Sequence, residues 1–127
     1  MQNLHTKSEQ KLIRKLSDMA WQRQQRDALK DLGDVISQMD AGNLSPSEAN
    51  DAVHQFHNGI SLKLYNRYSV SDPWLAVCRA YYDGVLKDDD FADASESIRD
   101  GLQQFADRFH EYNGIQESPS PQTGGFP

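Results

Sequence analysis

His54 and His57 stand three residues apart in the chain. On a helix that spacing puts both imidazoles on neighbouring positions of one face, within reach of a single metal ion. Asp51 precedes them at the same interval. An i, i+3, i+6 series drifts around the helix, however, and leaves Asp51 and His57 about 120° apart. Zinc ordinarily takes three or four protein ligands, so His54 and His57 form a partial metal site. The plainer reading is two border histidines that bond to water or to a neighbouring helix.

Other reactive residue types are sparse. Cys78 is the single cysteine, which excludes an intrachain disulfide or a Cys-based zinc site. A nucleophilic thiol needs an electropositive setting and a nearby base. Cys78 lies in the apolar run 74–86, so it is expected in the core. Asp88-Asp89-Asp90 resembles a calcium loop only superficially. Counted from Asp88, the sixth residue is Asp93 where glycine is required and the twelfth is Arg99 where glutamate is required. Acids before a helix serve its free N–H groups and its dipole instead. No phosphate-binding glycine loop or nucleophile elbow occurs, and no cofactor is implied. Tyr65, Arg67, Tyr68 and Trp74 surround one turn, with Tyr81 and Tyr82 further on. Aromatics with an arginine suit a protein interface, a small-ligand pocket beside Trp74 and Tyr81, or the edge of a core.

The elements that position these residues read as helices alone. Ser45-Pro46-Ser47-Glu48 combines an N-cap, a first-turn proline and a capping box. Ala49, Val53, Phe56, Ile60 and Leu64 then recur on one face, which predicts a helix over 45–69. Asp72-Pro73 opens the next, and the apolar run from Trp74 to Leu86 marks 73–87 as the central helix. Phe91, Ala94, Ile98, Leu102, Phe105, Phe109 and Tyr112 predict a fourth helix over 90–113, stopped at Asn113-Gly114. The Ser-, Pro- and Gly-rich segment 115–127 is expected to be a disordered tail.

The N-terminal region is out of phase with itself. Ala28, Leu32, Val35 and Met39 mark one face of a helix over 27–41, which Leu29 and Ile36 widen. Trp21 continues that face, whereas Leu12, Ile13, Leu16 and Met19 centre nearly opposite it. Gln22-Arg23-Gln24-Gln25-Arg26 separates the two sets. Either the helix breaks there, or one long helix from about Ser8 to Asp40 presents two stripes to two surfaces. An exposed apolar stripe marks an interaction site. Leu12, Ile13, Leu16, Met19 and Trp21, with the aromatic turn, are therefore the expected contacts.

Composition sets the outer limits. The 127 residues are 37% hydrophobic and carry a net charge of −6. That balance argues against a nucleic-acid partner, which needs clustered cations. No apolar run approaches the roughly 20 residues that span a membrane. No hydrophobic leader opens the chain, so the cytoplasm is the expected compartment. The charge is uneven. Residues 1–30 hold seven basic and three acidic side chains, a net +4, and residues 31–113 hold six and fifteen, a net −9.

The expected fold is all-α: a small bundle of three to four core helices plus an N-terminal amphipathic helix or helical extension. Residues 1–26 would be a basic arm, 27–114 the core domain and 115–127 the tail. The expected function is a non-enzymatic interaction or regulatory module that self-associates as a homodimer through its N-terminal helix, or binds a heterologous protein. A metal-binding protein using His54 and His57, possibly hydrolytic, is the alternative.

Overall fold

The computed structural model describes residues 5–116, the last four of these by backbone alone; the expected tail beyond Gln116 lies outside the described residues. The fold is all-α. Helix α1 (Lys7–Asp40) runs unbroken through 22–26, so the continuous-helix alternative holds. Thr6 caps it: the Glu9 N–H donates to Thr6 Oγ1 at 3.1 Å and the Thr6 N–H donates to Glu9 Oε1 at 2.9 Å. Gly42, at φ +85°, ends it. The Asn43 N–H reaches back to the Gln38 carbonyl at 2.9 Å and the Gly42 N–H to Met39 at 3.0 Å, a Schellman closure.

The predicted rod over 45–69 is present with a refinement. It comprises α2 (Pro46–Phe56), a π-helical segment His57–Ser61, α3 (Leu62–Tyr65) and a second π segment Asn66–Val70. A π turn carries more residues than an α turn. The resulting lag brings Leu64 and Tyr68 round to the side used by Ala49 and Phe56, the side that faces α1. The rod runs antiparallel to α1: Phe56 and Ile60 lie beside Ala28 and Leu32, and Tyr68 lies beside Gln24 and Trp21.

Helix α4 (Pro73–Tyr82) stops earlier than the predicted 87. Gly84, at φ +82°, closes it, with the Val85 N–H on the Ala80 carbonyl at 2.9 Å. The apolar run continues past this stop because Leu86 turns back into the core, where it is 1% exposed. The Asp88–Phe91 segment is a short 3₁₀ turn, not the start of the fourth helix. Helix α5 (Glu96–Gln116) begins instead after Ser95, whose Oγ accepts the Ile98 N–H at 3.3 Å. It continues through Asn113-Gly114, because a glycine in a final turn costs helix propensity without being a stop.

One core joins the first half of α1 to α4, the 86–91 connection and α5. Its buried members include Ile13, Leu16, Ala20, Val77, Cys78, Leu86, Phe91, Ile98 and Leu102. The first half of α1 is thus part of the core, whereas Ala49 is the sole buried residue from Trp21 to Lys63. The second half of α1 and the facing α2 stand out from the core as a two-helix arm.

Gly101 on α5 is a close-packed seat. A Cβ there would lie 2.8 Å from Cζ2 of Trp74, whereas a Cβ at Gly59 would meet no atom within 4 Å. Gly101→Ala is therefore expected to cost about 1–3 kcal/mol by overpacking. Gly59→Ala is expected to gain about 0.4–1 kcal/mol through reduced unfolded-state entropy. Urea unfolding of the two variants beside the parent measures both.

Candidate functional site

Two clasps fix the orientation from which the arm projects. Arg23 grips Asp90 bidentately, with Nη1 on Oδ2 and Nη2 on Oδ1, each at 2.8 Å, and Nη1 also donates to the Val85 carbonyl at 2.9 Å. The Lys87 N–H donates to Asp90 Oδ2 at 2.8 Å. These donors, Arg23 foremost, hold the Asp90 carboxyl down at about 2. Two residues earlier and on nearly the opposite side of the helix, Trp21 stacks on Tyr68 with centroids 6.2 Å apart and planes 13° apart. The Tyr68 hydroxyl donates to Gln24. The polar run 22–26 thus holds α1 to the 86–91 connection and to the second π segment.

Beyond these clasps the arm has little cover. Ala28, Leu32, Val35, Ala52, Phe56 and Ile60 line a groove of about 400 Å³ between α1 and the rod. Leu29 is 53% exposed, and Ile36 and Val53 are each 40% exposed. Leu29, Gly33 and Ile36 fall at i, i+4 and i+7 on one open face of α1. Two packed helices bury one narrow seam, and the rest of their apolar surface stays in water unless a further element covers it.

The residues expected to make contacts are dispersed. Ile13 and Leu16 are buried, and Leu12, Met19 and Trp21 pack against the core. They are therefore not an open interaction stripe, because α4 packs along this half of α1 and Trp21 meets Tyr65 and Tyr68 of the rod. Tyr68 is buried, whereas Tyr65 stays half exposed with its ring edge against Trp21 at 6.2 Å. Arg67 approaches Asp83 at 4.0 Å, and Arg79 binds the same carboxylate at 2.9 Å. Trp74 sits elsewhere, 4.8 Å from the His5 ring and against Gly101. The aromatic turn is thus two separate clusters.

Among the described residues Trp74 and Tyr81 face different neighbours. Tyr81 turns to Phe91 and donates to Asp88 at 2.7 Å. Trp74 instead borders an open groove of about 800 Å³, shared with His5, Phe105, Phe109 and Tyr112. His54 and His57 are both exposed. Among the described residues no group of three His, Cys, Asp or Glu side chains converges on a common point. Cys78 is 1% exposed, and burial pushes its thiol up to about 12. No helix among the described residues is long and apolar enough to cross a membrane.

Comparison with protein-family models, curated proteins and solved structures finds no match for this chain. The feature that carries most is the arm, and its sequence signal was the apolar Leu29–Ile36 pair widening the stripe of 27–41. Gly33 between them is a further signal, because a glycine inside a long helix costs about 1 kcal/mol of helix propensity.

The Arg23–Asp90 clasp predicts a pH dependence. Asp90 has a folded pKa near 2, below its ordinary value of 3.8. Its contribution is present above that ordinary value and lost as pH falls from about 4 to about 2. Asp90→Asn is expected to flatten the stability slope in that window. Chemical unfolding of parent and variant at several pH values reads it out.

Proposed function

We propose that this protein is a small helical interaction module whose projecting arm docks onto another protein. The supporting observation is the division of α1. Its first half is embedded in the core with Ile13, Leu16 and Ala20 buried, while its second half and α2 bury Ala49 alone. The arm nevertheless carries Leu29, Ile36 and Val53 in water. Placing those side chains in contact with a partner removes apolar surface from water at roughly 25 cal/mol per Å². Core stability does not depend on the arm's outer face, so that face is free to serve recognition.

The surface chemistry suits a helical partner. The open face of α1 offers alternating apolar and small positions at helical spacing, the pattern by which helices pack in grooves or against one another. Its surroundings are acidic on balance, with Asp27, Asp31, Asp34, Asp40, Glu48 and Asp51 against Arg26 and Lys30. Such a charge balance favours protein over nucleic acid as the docked partner.

A photoreactive amino acid at Leu29 of the full-length protein, expressed in its native cells, tests the proposal. Irradiation is expected to give one discrete protein adduct, which Ile36→Asp abolishes while helical content stays unchanged. The same probe at Lys11, on the exposed side of the embedded half, is expected to give none. Absence of an adduct at Leu29 would remove the docking-arm reading.

A further inference from the structure

The docking-arm reading leaves the partner open, and the exposed stripe of α1 narrows it. Arg26, Leu29, Gly33, Ile36 and Asp40 follow at steps of three and four, and all five are exposed. They form one continuous stripe along the outer side of the helix. Its kinds of residue are symmetric about Gly33: a large aliphatic on either side, then a charge on either side, of opposite sign.

Gly33 is the anomaly in this stripe. Glycine in a helix interior costs about 1 kcal/mol relative to alanine. Glycines that earn their place in a helix commonly do so by a close neighbour, as Gly101 does beneath Trp74. A Cβ at Gly33 would meet nothing within 4 Å in its own chain. A missing side chain on an open face lets another backbone come close.

We infer that the arm's partner is a second copy of this chain, packed antiparallel along α1 with Gly33 at the two-fold axis. Antiparallel pairing sets Leu29 beside the partner's Ile36 and Arg26 beside the partner's Asp40, twice over by symmetry. Parallel pairing would oppose Arg26 to Arg26 and Asp40 to Asp40. Among the described residues neither Arg26 nor Asp40 makes a salt bridge within its own chain. The stripe from Arg26 to Asp40 covers about 21 Å of helix, and the two cores lie at opposite ends of the pair. A heterologous partner would not require the stripe to complement itself.

Sedimentation of the full-length chain over a wide concentration range tests this, with three sets of variants. The parent is expected to reach twice the 14.4 kDa chain mass. Arg26→Asp or Asp40→Arg alone places like charges together and is expected to weaken the dimer about tenfold, a loss that the double reversal restores. Gly33→Cys is expected to form a disulfide-linked dimer under mild oxidation. The native Cys78 is buried and serves as the silent background. Asp31→Cys, about 160° around the helix, is expected to remain unlinked.

A chain that stays monomeric at every concentration overturns the inference. The docking-arm reading then still stands if the Leu29 adduct is a different protein, and falls with the inference if there is none. A dimer in which Gly33→Cys does not link, or the double reversal does not restore association, overturns the antiparallel arrangement alone.

Discussion

An α-helix advances about 1.5 Å per residue, so the 34 residues of α1 reach about 51 Å. A domain of this size is only some 30 Å across. Sharp bends need a proline, a π-bulge or an inserted side chain, and α1 is a single unbroken α-helix. Part of it must therefore stand outside the core. The other features of the fold follow from how the chain accommodates that overhang.

Because the helix is unbroken, its two halves can have different neighbours on different sides. The first half turns Ile13, Leu16 and Ala20 to the main core. The second half turns Ala28, Leu32 and Val35 to the rod that returns along it. A residue cannot face both neighbours, so the apolar stripe must shift around the helix between them. The polar run 22–26 is where this happens. Arg23 fastens the helix to the connection before α5, and Gln24 fastens it to Tyr68. These groups act as fixtures at the point where core packing gives out.

At the other end of the helix, one carboxylate serves two starts. Glu9 completes the cap of α1 and also accepts from the Ser95 hydroxyl, which caps α5. Those hydrogen bonds, with Ser95 first, hold the Glu9 carboxyl below its ordinary range. The 3₁₀ turn between them is clamped by Arg99, which donates to the carbonyls of Phe91 and Ala92. The embedded end of α1 is thus tied at several points, and the arm continues from it as the same helix.

The all-α class, the cap at Ser45 and the opposed phases of α1 were legible in the residues, because capping and helical periodicity act over a few positions. The stop at Gly84 was present in the sequence but hidden by Val85 and Leu86, which are apolar for the sake of a turn back into the core. Tertiary structure alone decided which half of α1 is embedded. Both halves carry an apolar stripe, and periodicity does not say what each stripe meets. That was settled by contacts such as Arg23 with Asp90, 67 residues apart in sequence. The stripe from Leu12 to Met19 belongs to the core, and the open apolar surface lies further along the same helix.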